Sequence, residues 1–346
     1  MMFNRGFIWC KSTIIVNLFN GLAMSNQTVI EMIRQRDVLN VGVSLGFRGL
    51  SFRNVIKNCW EGFDIDLARA VAVAVFGDAG KIHYMPLQSG DRFRALRDGV
   101  IDLGSFNSSI TFQREAESEV TFVHPMLFDG EVLMTPASNL LEPVEQASYT
   151  RKRRIAAMRG STTEENLKRY FGNLNLSCEI SLFDSPTQAR QAYQHGECNI
   201  YCLDSYLLAG ERAQLKDKDA HIILQDRISL ETMSPAVASH DPQWLKAVTW
   251  VMRALIEAEN LQVSSKNIHE MSQEATGYLK TFLYPSEQNC KNLGLRPEFI
   301  REIIHQVGNY GEIFQRNLGK YSELNQARRD NNLWSQGGML YSPLFI

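Results

Sequence analysis

Ile101-Asp102-Leu103-Gly104-Ser105-Phe106-Asn107-Ser108-Ser109-Ile110-Thr111-Phe112-Gln113-Arg114 starts as the apolar end of a short strand, runs through small hydroxyl and amide residues, and stops at an arginine. A guanidinium grips a carboxylate through two parallel donors. Ligands of an open α/β sheet collect just past the carboxyl ends of its strands, where loops leave a crevice and expose backbone N–H groups. The stretch therefore reads as a ligand loop on an α/β scaffold. Taken alone, it also fits a solvated loop ending in a surface arginine.

The flanking chain supplies the scaffold. Val38 to Val43 has the composition of a buried strand, Asp64 to Phe76 is an Ala/Val/Leu-rich helix ended by Gly77, Lys81 to Met85 alternates like a strand, and Asp91 to Asp98 is a short helix closed by Gly99. After Pro136 the rhythm restarts: Arg154 to Met158, Glu179 to Leu182 and Asn199 to Leu203 as strands, Thr163 to Phe171 and Ser185 to His195 as helices. Strand and helix in alternation imply a mainly parallel sheet, and two such series imply two similar lobes. Beyond Pro242 the pattern is helical, from Trp244 to Glu259 and from Pro297 to Gly308, so these helices must cover a sheet already built.

The 346 residues, 44% of them apolar, allow two cores, and a net charge of -2 gives no electrostatic reason to expect nucleic acid as a partner. Residues 1–25 stand apart. Arg5 and Lys11 precede a mostly apolar run from Ser12 to Leu22, and Ala23-Met24-Ser25 resembles a small-x-small cleavage site, which suggests export; an interfacial N-terminus is the alternative. No later stretch reaches the ~18 to 20 apolar residues of a membrane span. Loss of Cys10 with such a segment leaves Cys59, Cys178, Cys198, Cys202 and Cys290, an odd number unsuited to a disulfide scaffold. Cys198 and Cys202 have only His195 nearby, so small buried thiols are expected there and no metal site.

Several motifs are excluded. Gly42-Val43-Ser44-Leu45-Gly46 has the spacing of a nucleophile elbow, but the residues after it do not begin a helix. There is no phosphate loop, dinucleotide fingerprint or H-E-x-x-H, so no cofactor is expected. Arg151-Lys152-Arg153-Arg154 reads as a solvated basic run.

What remains fits one kind of ligand. Gly160-Ser161-Thr162-Thr163-Glu164 lies between a strand and a helix, where N–H groups and hydroxyls either cap the helix or attract an anion. Asp204 follows a strand and precedes Ser205-Tyr206-Leu207-Leu208, so it either caps that helix or offers a carboxylate to an ammonium group. Arg114 with Ser161 to Thr163 for a carboxylate, and Asp204 for an ammonium, would together recognise the α-groups of an amino acid.

Trp60-Glu61-Gly62-Phe63-Asp64-Ile65-Asp66-Leu67-Ala68-Arg69-Ala70-Val71-Ala72, Asn107 to Arg114, and Gly160 to Leu167 occur together in this chain. In that combination the sequence resembles the extracytoplasmic solute-binding proteins of polar amino-acid ABC transporters. Ser265 to Met271, Gln306 to Phe314 and Leu333 to Tyr341 are similar to the general L-amino-acid-binding subgroup. The subgroup usually has Leu-Pro where Phe47-Arg48 stand, threonine at Ser108 and Ser109, tryptophan at Ile110, and Pro-Leu-Gly-Pro in place of Thr232 to Pro235.

This resemblance implies a two-lobed α/β protein of the type II periplasmic-binding fold, with two crossing hinge strands and extra C-terminal helices. Residues 38–131 plus 232–346 would form lobe I and 132–231 lobe II. Arg114 would hold the ligand α-carboxylate with the Ser109 hydroxyl and the Thr162 N–H, Asp204 would accept from the ammonium, Asn107 would complete the shell, and Phe47 would pack on the side chain. Ser44, Phe47 and Ile110 would make a neutral side-chain end, with Arg48 either solvated or turned inward. The expected role is non-enzymatic: a periplasmic monomer that closes on a free L-amino acid and presents it to a membrane permease. A dehydratase-like enzyme or a ligand sensor on the same scaffold is the alternative.

Overall fold

The computed structural model describes residues 27–139 and 153–346. The expected export segment and Arg151-Lys152 lie outside them. In chain order the first elements are α1 (Val29–Arg36), β1 (Leu39–Val43), β2 (Phe52–Asn54), β3 (Cys59–Glu61), α2 (Phe63–Phe76), β4 (Ile82–Pro86), α3 (Arg92–Arg97), β5 (Leu103–Gly104), α4 (Phe112–Glu117), β6 (Val120–Phe122), β7 (Leu127–Asp129) and β8 (Glu131–Pro136). There follow β9 (Arg154–Met158), α5 (Thr163–Asn173), β10 (Glu179–Phe183), α6 (Pro186–Gln194), β11 (Ile200–Asp204), α7 (Ser205–Arg212), β12 (His221–Ile223), β13 (Glu231–Met233) and β14 (Ala236–Ala238). The chain then turns helical, with α8 (Pro242–Asn260), α9 (Ile268–Gln273), α10 (Gly277–Leu283), α11 (Glu287–Leu293), α12 (Phe299–Gln306) and α13 (Tyr310–Asn317).

Two five-stranded sheets form, ordered β4-β1-β5-β14-β6 and β10-β9-β11-β8-β12. In each, four strands run one way, three of them from its own βα series, and one strand, β14 or β8, runs against them between two antiparallel neighbours. Because β14 returns to the first sheet after β12 has finished the second, the chain crosses between them twice. The crossings meet as a small antiparallel pair, β13 against β7, which positions Glu231 opposite Asp129.

The expected α/β, two-lobed architecture is what the chain adopts, with element ends moved by a residue or two. The helical tail is explained by α2, which buries all but Arg69 and Phe76 of its fourteen residues and so needs cover on every side. Two glycine and carboxylate details hold it. Gly62, at φ +134°, approaches Leu50 so closely that an added Cβ would lie 2.0 Å from the Leu50 carbonyl oxygen. Buried Asp66 accepts from Arg69 (2.9 Å), Arg316 (2.7 Å) and Asn317 (2.7 Å), tying α2 to α13. Trp244 Nε1 donates to the Asp102 carbonyl (2.8 Å), which fixes α8 beneath the strand that leads into the Asn107 loop. Among the described residues no helix is long and apolar enough to cross a membrane.

Candidate ligand-binding site

The spacing Thr111-x-x-Arg114 has a local cause. Thr111 is the N-cap of α4 and its Oγ1 accepts from the Arg114 N–H (3.2 Å), so the helix begins at a defined residue. Arg114 then folds back: its Nη1 donates to the Ser109 carbonyl (2.7 Å) and the guanidinium lies 5.5 Å from the centroid of the Phe93 ring. Burial pulls its pKa down, against the opposing fields of Glu231 and Asp204. Asn107, at φ +50°, turns the loop, and its Oδ1 accepts from the Ser44 hydroxyl.

Beneath that loop lies an arginine that the sequence reading did not include. Arg92 is 6% exposed; Nη1 donates to the Phe106 carbonyl (2.7 Å) and to Ser108 Oγ (3.3 Å), Nη2 donates to Ser44 Oγ (3.1 Å), and its buried Nε has no partner. Burial first, and then the neighbouring Arg114, lower its pKa to about 9. Buried Asp64, from the start of α2, partly balances it; burial raises that carboxyl to about 7, opposed by Arg92, the Ser51 hydroxyl and the Asn107 N–H. One signal was available in the sequence. A cation at the first residue of a helix opposes the helix dipole, so it needs another reason to be there.

The facing wall is built from the second sheet. Asp204 occupies the N-cap position of α7, yet its side chain makes no capping bond. Asp129 does the capping instead: its carboxylate accepts from the Tyr206 N–H (2.9 Å) and from the Ser205 hydroxyl. Asp204 is left with a buried Oδ1 that has no partner, and burial, followed by Glu131, Asp129 and Glu231, pushes its pKa well up. Ser161 Oγ donates to the Met158 carbonyl (2.7 Å) and accepts from the Thr163 N–H (3.3 Å), shaping the entry to α5.

Both walls line one cavity with about 430 Å³ of space not filled by atoms, part of it open to solvent. Phe47, Asn107, Ser109, Arg114, Ser161, Thr162 and Asp204 line it, together with Ser89, Arg92, Ser108, Met158, Thr163, Leu203 and Leu207. Two predicted residues do not. Ser44 is fully buried under the loop, occupied by Arg92, Asn107 and Phe106, and Ile110 is drawn away by the hydrogen bond from its N–H to the Thr232 carbonyl (2.8 Å) and by packing in the core around Phe106. Arg48 turns outward, donating to Glu323 (2.6 Å) over the Phe52 ring. The side-chain end is therefore not the neutral pocket expected, because Arg92 stands where Ser44 was placed. The walls touch: a Cβ on Gly160 would lie 3.2 Å from the Gly90 nitrogen, and one on Gly210 would lie 2.6 Å from the Arg48 carbonyl oxygen.

A cleft between two βα lobes, with a guanidinium on one wall and an unpaired carboxyl on the other, defines the class of two-lobed binding proteins. The chain belongs to the bacterial extracellular solute-binding proteins, family 3, whose model matches residues 39–269. It is 36% identical over 327 residues to the general L-amino acid-binding periplasmic protein AapJ of Rhizobium johnstonii, covering 93% of this chain and 94% of that one. It is 31% identical over 322 residues to the glutamate/glutamine/aspartate/asparagine-binding protein BztA of Rhodobacter capsulatus, at 93% and 94% coverage. Among solved structures, a periplasmic binding protein of an ABC transporter from Brucella ovis, with glutathione bound, superposes with a TM-score of 0.88 at 32% identity, covering 93% of this chain and all of that one. These relatives are binding proteins rather than enzymes.

Proposed function

We propose that this protein is a periplasmic receptor that captures free L-amino acids between lobes 38–131 plus 232–346 and 132–231 and delivers them to an ABC permease. The observation that carries the reading is that Asp204, whose buried Oδ1 has no partner, and Arg114 line the same cavity. An α-ammonium supplies the missing partner of the first, and an α-carboxylate supplies a bidentate partner for the second. Ser109 and Thr162 add polar groups around the carboxylate, Asn107 completes the loop, and Phe47 gives the side chain an apolar wall. Arg92 makes the side-chain end favour amide and acidic groups over cations.

The protein acts as an exported monomer and leaves its ligand chemically unchanged. Closure follows from differential affinity: contacts made to both walls exist only when the lobes meet, so the ligand favours the closed state. A thermal-shift panel of the twenty L-amino acids tests the reading. A ligand at ~100 times its dissociation constant adds about 2.7 kcal/mol to stability, so binders stand out. A flat panel would sink amino-acid capture; recovery of altered amino acids after incubation would favour an enzyme.

A further inference from the structure

We propose that Glu131 and Asp204 share a proton in the empty cleft and that capture of an ammonium-bearing ligand expels it, which makes Glu131 a positioning residue acting through Asp204. This rests on the amino-acid reading above and goes beyond it.

The juxtaposition comes from strand register. In the antiparallel pair β11 and β8, Asp204 stands opposite Glu131, and in β13 and β7, Glu231 stands opposite Asp129. Facing residues of an antiparallel pair project to the same side with Cβ atoms roughly 5 Å apart. Four carboxyls thus gather where the two crossing strands meet. Two are accounted for: Asp129 by Ser205 and Tyr206, and Glu231 by the Asn166 amide (2.8 Å). The other two are not. Glu131 is fully buried and neither of its oxygens has a formed hydrogen bond, although the Thr163, Asn166 and Thr162 side chains stand close enough to favour its ionised form, and Asp204 Oδ1 is buried without a partner.

Cations nearby are committed elsewhere. Arg227 pairs with Asp330 (2.8 Å), Arg169 donates to Asn166 Oδ1 (2.7 Å), Arg329 reaches only Ser205 Oγ (3.5 Å), and Arg114 lies on the other wall of the cleft, held by the Ser109 carbonyl. Thr162, Thr163 and Asn166 of the α5 entry face Glu131, and the Cys202 thiol on β11 is held neutral by burial. No ion pair to Glu131 or Asp204 forms among the described residues. Two adjacent carboxylates, out of water and with only the Arg114 field reaching Asp204 from across the cleft, do not both ionise, so the pair keeps a proton at neutral pH. Burial raising Glu131 to about 7 agrees with this.

A ligand ammonium changes the balance. It keeps its own three protons and brings a positive charge to Asp204, the carboxylate form is then favoured, and the shared proton passes to solvent. Affinity accordingly rises with pH, by up to about tenfold per unit where one whole proton is released. A carboxylic acid without an amine cannot displace the proton, so Glu131 sharpens the preference for ammonium-bearing ligands.

Calorimetry tests this with L-glutamine, and with each other of the twenty L-amino acids that binds, at pH 7 in phosphate and in Tris, whose ionisation heats differ. The wild type should release about one proton per ligand, and the infrared band of a protonated carboxyl should disappear on binding. Glu131→Gln removes the second charge at nearly constant volume and should at least halve the release, while Glu131→Asp restores it. Heat that does not vary with buffer, with the infrared band unchanged, would overturn the proposal while leaving amino-acid capture intact. Undiminished release in a folded Glu131→Gln would also overturn it. If none of the twenty binds, the amino-acid reading fails and the proposal fails with it.

Discussion

Asp129 accepts the Tyr206 backbone N–H at 2.9 Å, and by doing so it occupies the cap of α7 that Asp204, one residue before that helix, would otherwise fill. The carboxyl at the cap position is thereby turned toward the cleft. A short helix needs one good acceptor at its first turn, and once a residue on β7 supplies it the nearer one is available for a ligand. This joins α7, the crossing strand β7 and the proposed ammonium partner Asp204 in a single arrangement.

A buried carboxyl set against a second carboxyl, with no ion pair among the described residues, is unfavourable for the empty protein and useful only when ligand is present. Asp204→Asn should therefore raise the melting temperature of the ligand-free protein slightly, while costing ~2 to 5 kcal/mol of amino-acid binding, or roughly thirty-fold to several-thousand-fold in affinity. Differential scanning and calorimetry on one preparation measure both. A variant less stable than wild type when empty would show that Asp204 is a structural cap after all.

On the other wall, Arg114→Ala should cost a similar ~2 to 5 kcal/mol of binding. Its only hydrogen bond from the side chain within the described residues is to the Ser109 carbonyl, on its own loop, and so the fold should survive. Unchanged affinity in a variant with native circular dichroism would remove the arginine from the site.

The buried carboxyls set the pH dependence of stability. Burial raises Asp64, Glu131 and Glu211 to about 7 and Asp129 to about 6, whereas in the unfolded chain such groups titrate near ~4. Between those values the native state holds protons that the unfolded state has lost, so stability falls as pH rises from ~4 through ~7. His124 opposes this, because burial lowers it to about 4 and the native state gains stability as pH rises toward ~6.5. These four carboxyls outweigh His124 and His221, the second imidazole that burial lowers, and above pH ~6.5 only the carboxyls act. The ligand-free protein should melt at a higher temperature at pH 6 than at pH 7.5, by the equivalent of ~1 to 2 kcal/mol. A higher melting temperature at pH 7.5 would contradict the protonated state of these groups.

Much of this was legible in the sequence because it is local. Strand-helix alternation and the Ser161 to Thr163 turn both depend on residues within a few positions of one another. Asp204 could be placed but not assigned, since the residue that releases it, Asp129, lies 77 positions from Tyr206 along the chain. Ser44 and Ile110 were misplaced for a related reason. Their partners, Arg92 and Thr232, come from other elements, and nothing in the spacing around Ser44 or Ile110 shows that each is already occupied. The four-carboxyl cluster is legible only through strand register, which the crossing of the chain between sheets determines.

Under the proposed amino-acid reading, selectivity depends on Arg92, which lines the cavity, rather than on Arg48, which does not. A buried guanidinium lining the cleft repels a lysine or arginine side chain and donates to an amide or carboxylate. In a competition series the wild type should hold glutamine or glutamate at least about tenfold more tightly than arginine, an interval of ~1.4 kcal/mol. Arg48→Ala should leave the ranking unchanged, because Arg48 is turned toward Glu323. Arginine emerging as the tightest ligand would refute the role given to Arg92.

Gly210 offers a test of closure at a distance from ligand chemistry. It lies inside α7, where alanine in place of glycine ordinarily strengthens a helix by ~1 kcal/mol. With the two walls as near as they stand here, however, a Cβ there would sit 2.6 Å from the Arg48 carbonyl oxygen, and a backbone atom cannot rotate aside as a side chain can. The strain is relieved only if α7 and the Phe47 loop move apart. Gly210→Ala should therefore leave the empty protein as stable as wild type or more so, while lowering affinity for every amino acid by about tenfold through the smaller share of closed molecules. Scattering should show a larger radius of gyration for the saturated variant than for saturated wild type. Full affinity with a wild-type radius would mean that the approach of Gly210 to Arg48 is not part of the ligand-holding state.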